Sequence, residues 1–284
     1  MKIHIVNTGF FKLDGGAMFG VVPKSIWDRV EPADSLNMCT WAMRCLLVET
    51  ADRRILIDTG IGNKQSDKFF AHYHLHGEDS LALSLANLGF APADITDVLL
   101  THLHFDHVGG AVAQNGTDLY PFFPRARYWS NKKHFDWATK PNEREKASFL
   151  PENIAPLLAH NVLNWVDTAP HDTVIDWLPQ IGLQNVYGHT EAMMLPHIYC
   201  QDKTIVYCAD LIPSPNHVPL AYIMGYDMRP LQTMSEKSWL LEQAVEQNYI
   251  LFFEHDKATQ ACTVRRNEKG RIVVAEKGDL AMFL

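Results

Sequence analysis

The sequence contains no apolar run approaching the roughly 18 residues that a membrane-spanning helix needs, so no membrane span is expected. Nor has it any CxxC pair. Its five cysteines, Cys39, Cys45, Cys200, Cys208 and Cys262, are scattered and odd in number, which fits a reduced, cytoplasmic protein. Positive charge is in deficit, with 25 Lys and Arg against 33 Asp and Glu and a formal net charge of −8. The basic residues form no stripe, and a cleft for a polyanion would need one, so nucleic acid is disfavoured as a substrate. Low-complexity segments, internal repeats and linkers rich in Gly, Ser or Pro are also missing. The opening residues Met1 to Val6 lack a basic start, a long apolar run and a small-residue cleavage site, and read as a first strand, not a signal peptide. At 284 residues, 47% hydrophobic and 20% charged, the simplest organisation is a single compact domain over 1–284.

Histidine is the residue in unusual supply, with fourteen copies. The elements around them can be read from pattern. Arg44 to Glu49 and Arg54 to Asp58 are apolar runs separated by a polar turn, and predict a β-hairpin. Ser80 to Leu88 has helical spacing and stops at Gly89. Val98 to Leu100 predicts a buried strand. Further strands are expected at Leu183–Tyr187, Thr204–Cys208 and Tyr249–Phe253, with a turn at 267–270 between two β-like runs. Thr233 to Glu236 has the form of a capping box opening a helix to about Gln247. The stretch from Ala126 to Asn161 reads as mostly helical. This mixture argues for sheets covered by helices and against a doubly wound parallel sheet.

The strand Val98–Leu100 runs straight into His102-Leu-His104-Phe-Asp106-His107, four potential metal ligands within six residues. In extended backbone, residues i and i+2 point the same way, so His102 and His104 can grip one ion. A turn into helix at Asp106 aims the next two side chains at a neighbouring point, and Gly109-Gly110 permits close packing beside it. Imidazole and carboxylate are ligands for zinc, iron or manganese. Six residues cannot fill two coordination shells. His189, Asp210 and His255, each just past an apolar strand, are the candidates to complete them. The alternating His72, His74 and His76 lack nearby acids and read as surface or helix-flanking residues.

The order HxHxDH, Gly188-His189-Thr190, Asp210 after a strand and His255-Asp256 resembles the metallo-β-lactamase superfamily. The resemblance implies an α/β (α+β) fold, a four-layer αββα sandwich with metals at one edge. It makes His102, His104 and His189 ligands of one divalent ion and Asp106, His107 and His255 ligands of a second. Asp210 would bridge the two. Zinc is the expected metal, with manganese and iron(II) as alternatives. Asp58, in Ile-Asp-Thr-Gly60, matches an acid that would hold a ligand histidine in one tautomer; as a residue before Gly60 it equally suits a turn. Zinc β-lactamases commonly use a cysteine ligand and often replace the last motif histidine. Flavodiiron relatives carry a glutamate at the place of His104 and an added flavodoxin domain. This chain does none of these, which points to the two-metal hydrolases.

Within them, His102 to Gly110, Asp210 to Pro213 and Phe253 to Asp256 are similar to the enzymes that open N-acyl-homoserine lactones. The resemblance implies a dinuclear hydrolase of a small lactone or ester. A shared water lowered in pKa from 15.7 toward about 7 would be its nucleophile, with Asp106 or Asp210 relaying a proton. A phosphodiesterase or nuclease on the same fold and a non-catalytic metal-binding protein are the rival readings. Two departures stand out. Some of these lactonases place a tyrosine where Pro213 stands, leaving His217, Tyr222 or Tyr226 to substitute, and Glu191-Ala192 replaces the Pro-Gly common after the Gly-His-Thr motif. The loop Asp14 to Gly20 joins two early β-like segments. Its Met18 and Phe19, with Trp27, are candidates for an apolar wall beside the metals, suited to an acyl chain, and equally for core or dimer contacts. The expected partners are a small-molecule substrate and, if that loop is exposed, a second copy in a homodimer.

Overall fold

The apolar runs become strands wherever they are short and rich in β-branched residues. In the computed structural model, which describes residues 1–284, β1 (Lys2–Asp14) leads into two short helices, α1 (Gly15–Phe19) and α2 (Lys24–Trp27). Next come β2 (Met38–Glu49), β3 (Arg54–Ile57), α3 (Asp67–Tyr73), α4 (Leu81–Asn87), β4 (Asp97–Leu99) and the single turn α5 (Phe105–Val108). A hairpin of β5 (Val112–Asn115) and β6 (Asp118–Pro121) precedes β7 (Arg127–Asn131), α6 (Lys132–Thr139), α7 (Pro151–Ala159) and β8 (Leu163–Val166). The remainder is β9 (Val174–Leu178), β10 (Ile181–Val186), β11 (Met193–Cys200), β12 (Lys203–Tyr207), α8 (Pro230–Glu246), β13 (Ile250–Phe252), β14 (Ala261–Arg266) and β15 (Ile272–Gly278).

The chain divides into two compact units, residues 1–11 with 42–167 and residues 12–41 with 168–284. The first carries a six-stranded sheet in the order β1-β2-β3-β4-β7-β8. β2 and β3 form the expected antiparallel hairpin, with Leu46 opposite Ile57. β3, β4, β7 and β8 are mutually parallel, so their C-terminal ends all emerge at one edge. A core of Leu47, Leu56, Leu85, Val98, Phe123 and Leu157 is buried around this sheet. Burial of each such side chain contributes about 1.5–3 kcal/mol. α4 begins as its sequence asks: Ser80 accepts from the Leu83 amide, and Gly89 follows with φ +84°.

The second unit carries a seven-stranded sheet in the order β15-β14-β13-β12-β11-β10-β9. β10 is antiparallel to β11, β11 antiparallel to β12, and β12 parallel to β13. It follows that β10, β12 and β13 share a direction and also end at one edge. α8 buries Leu240, Leu241 and Ala244 together with Thr233, Glu236 and Lys237.

Three expectations are corrected. α8 starts at Pro230, with Arg229 as its cap, not at a Thr233 box. Thr233 lies within the helix, and Glu236 spends its carboxylate on the amides of Tyr187 and Gly188 instead of on its own helix terminus. The stretch from Ala126 to Asn161, expected to be mostly helical, opens with the parallel strand β7 before α6 and α7. The Asp14–Gly20 connection coils into α1, capped by Asp14 accepting from the Ala17 amide at 2.8 Å.

The glycine pair after the histidine cluster permits a close backbone approach. A Cβ on Gly109 would fall 2.0 Å from the Ile61 carbonyl oxygen. Gly109→Ala is therefore expected to lower the urea midpoint by an amount equivalent to roughly 1–3 kcal/mol, the usual range for overpacking. An unchanged midpoint would mean that the 59–62 loop yields freely.

Candidate functional site

In the first unit the site grows from strand ends. Asp58 follows β3 with φ +59°, and its amide donates to the Leu99 carbonyl at 2.9 Å. Its buried carboxylate accepts from the Thr101 amide at 2.8 Å, the Thr101 hydroxyl at 2.7 Å and His107 Nδ1 at 3.1 Å. The Thr101 hydroxyl, having donated to Asp58, can only accept from His102 Nδ1, 3.1 Å away. His104 presents Nε2 to Glu145 Oε1 at 3.0 Å, and Glu145 is itself held by Trp137 Nε1 at 2.6 Å. These acceptors place protons on His102 Nδ1, His107 Nδ1 and His104 Nε2. Lone pairs are left on His102 Nε2, His107 Nε2 and His104 Nδ1.

The lone pairs converge. His102 Nε2 lies 3.1 Å from His104 Nδ1, and the His102 and His107 ring centroids are 3.9 Å apart. His107 Nε2 lies 3.7 Å from Asp106 Oδ2. The local backbone explains this. His104 is extended and caps α5, while Asp106 and His107 sit in its single turn.

The second unit presents its candidates in the same manner. His189 follows β10, Asp210 lies in a 3₁₀ turn after β12, and His255 follows β13. One Asp210 oxygen lies 3.1 Å from His189 Nε2 and the other 2.9 Å from His255 Nε2, the posture of a carboxylate that serves two partners. His189 Nδ1 is held by Asp227 Oδ1 at 2.8 Å. Burial on its own would lower the His189 pKa, but Asp210 and Asp227 together push it up to about 10. Gly188 is required next to it, since a Cβ there would sit 2.3 Å from the Thr233 amide nitrogen. The Pro213 carbonyl accepts from the His255 amide at 3.2 Å, so this position acts through its backbone.

In both units the donor set fits divalent metal: imidazole nitrogens beside carboxylates, all buried. Sequence reasoning missed Thr101, Glu145, Asp227 and Glu236. Thr101 alone had a local signal, its place between the strand and the first histidine.

The proposed pocket residues are brought together, but as core. Met18, Phe19, Trp27 and His217 are each no more than 1% exposed, and only Tyr222 is partly open. Phe19 stacks on His217 at 4.6 Å and on Trp27 at 5.4 Å, with Tyr222 edge-on at 6.3 Å. His217 engages both nitrogens, with Ser214 Oγ at 2.8 Å and the Met18 carbonyl at 2.9 Å. Burial holds its pKa down to about 3, so it is neutral. His74 is a left-handed helix cap and His76 stacks on Phe10, which accounts for that histidine run structurally.

The metallo-beta-lactamase superfamily profile matches residues 44–113. An N-acyl homoserine lactonase of Bacillus cereus is 31% identical over 272 residues, covering 90% of this chain and 93% of that one. Among solved structures, a probable metal-dependent hydrolase from Staphylococcus aureus superposes with a TM-score of 0.86 at 29% identity, over 97% of both chains. AidC, a dizinc quorum-quenching lactonase in complex with its product, gives a TM-score of 0.78 at 21% identity, over 98% of this chain and 95% of its own.

Two measurements follow from the geometry. Glu145→Gln and Asp227→Asn should each weaken metal affinity by roughly 10–100-fold in a chelator-competition titration, with the circular dichroism spectrum unchanged. In chelator-treated protein, the raised His189 pKa means the folded state binds the extra proton. Its stabilisation is complete below the ordinary histidine pKa of 6.5 and disappears as pH rises through about 10. The gap in urea midpoint between wild type and His189→Gln should therefore shrink between pH 6.5 and 10; a gap that widens would reverse the assignment.

Proposed function

The chain belongs to the metallo-β-lactamase superfamily, and from that premise we propose that it is a metal-dependent hydrolase of small lactones or esters, with N-acyl-homoserine lactones as the leading substrate class. The observation that carries this reading is the near full-length likeness to an N-acyl homoserine lactonase, at 31% identity. It is supported by the presence of every histidine and aspartate that the superfamily pattern calls for. His102, His104 and His189 would hold one divalent ion, Asp106, His107 and His255 a second, and Asp210 both. When bound, the metals supply a Lewis acid and a water acidic enough to act at neutral pH.

The chain's own residues supply order. Asp58, directly and through Thr101, fixes the protons of His107 and His102 on Nδ1. Glu145 keeps that of His104 on Nε2, and Asp227 orients His189 through Nδ1. Asp106 or Asp210, both about 8% exposed, would carry a proton to the departing alkoxide. Proline at position 213 offers no hydroxyl to the substrate carbonyl.

The test is a panel assay of zinc- or manganese-loaded protein against acyl-homoserine lactones, aryl esters, a phosphodiester and a β-lactam. Chelator-sensitive lactone turnover well above the others is expected. His104→Ala and Asp210→Ala should each lower kcat/KM by at least about a hundredfold, by analogy with the cost of disturbing metal ligation, in folded protein. Turnover of the phosphodiester alone would move the assignment to a phosphodiesterase.

A further inference from the structure

The second unit contains a cleft of about 890 Å³ that includes none of the candidate metal ligands. Its walls are the 215–222 loop, one face of α8, the β14–β15 hairpin and the tail of α2. The lining is mostly apolar, including Val30, Leu220, Tyr222, Leu241, Val273 and Val274. Val30 is 51% exposed and Leu220 42% exposed. This volume lies within the range of small-molecule sites, and exposed apolar side chains grouped on a concave surface mark a binding function.

The walls are fixed in advance. Lys237 on α8 is held against the carbonyls of His217, Pro219 and Tyr222 at 2.9, 3.1 and 2.7 Å, which ties the loop to the helix. Arg266 of β14 pairs with Glu242 of α8 and donates to the Gly270 carbonyl. The Asn267 side chain accepts from the amides of Lys269 and Arg271, which locks the hairpin turn. Asn216 reaches the Val30 carbonyl at 3.4 Å and joins the loop to the tail of α2.

The charge of the lining is opposite to that of the chain. Arg29, Arg266 and Arg271 face one acid, Glu242, in a protein of net charge −8. With Arg266 already paired to Glu242, the guanidinium groups of Arg29 and Arg271 are the cations available at the exposed rim. An apolar trough with guanidinium groups beside it matches a chain with an anionic head, because Arg recognises a carboxylate by paired hydrogen bonds. We propose that this cleft binds an amphiphilic carboxylate, an acyl chain of medium length bearing a terminal carboxylate, with Arg29 and Arg271 on the carboxylate and the Val30, Leu220 and Val273 surface along the chain.

The test is calorimetric titration of metal-loaded protein with dodecanoate, butyrate and dodecanol. Dodecanoate should bind one to one, dodecanol more weakly, and butyrate not measurably. The double variant Arg29→Gln/Arg271→Gln should weaken dodecanoate binding by at least about tenfold, the cost of losing a charged hydrogen bond, with hydrolase activity retained. Leu220→Glu, an exposed loop change, should weaken it as well. Dodecanoate binding equally well to the double variant would overturn the proposal, as would no binding to wild type at millimolar concentration. A dimer in light scattering that Leu220→Glu converts to monomer would overturn it too, by assigning the cleft to a second copy of the chain.

Discussion

Asp58 is withdrawn from water with its charge. A carboxylate buried without partners would cost several kcal/mol. Here the amide and hydroxyl of Thr101 and a ring nitrogen of His107 offset that cost. The same three contacts bear on the two histidines beside them. They turn the hydroxyl of Thr101 toward His102 and settle which nitrogen of His102 and His107 carries a proton. One neutralised charge thus converts a strand end into an ordered set of candidate metal donors. A residue with left-handed backbone at that point, φ +59°, is the local strain accepted for this arrangement.

The second constraint is strand direction. Parallel pairing of β3, β4 and β7 brings their C-terminal ends to one edge, as the shared direction of β10, β12 and β13 does in the other sheet. This is why His189, Asp210 and His255, each just past an apolar run, could be set beside the clustered His102 and His104. Each follows a strand with a sharp hydrophobic boundary, and a boundary of that kind is visible in one dimension. The hairpin of β2 and β3 and the helix α4 were legible for the same reason, since turn chemistry and caps act over a few residues.

What stayed hidden acts across long separations. Glu145 and Asp227 look like ordinary loop acids, and only folding brings them 41 and 38 residues along the chain to His104 and His189. β7 buries Ser130 and Asn131, polar residues whose burial depends on tertiary partners, so no hydrophobic pattern announced it. Thr233 and Glu236 had the spacing of a cap, but Pro230 starts the helix one turn earlier and the acid is committed elsewhere. Met18, Phe19 and Trp27 were legible as a group. Whether such a group lines a pocket or fills a core depends on what packs against it, and the ring of His217 closes the stack.

The commitment of Glu236 has a wider bearing. It grips the amides of Tyr187 and Gly188, so the loop that carries His189 is tied to the second turn of α8. Fraying of that helix would release the histidine without disturbing any β-ladder, and occupancy of the histidine would resist fraying in return. With His189 as a metal ligand, as proposed, the exchange rate of amides in α8 would rise as the ion is withdrawn. On that assignment, the supply of the ion would bear on how long each molecule survives as well as on what it does.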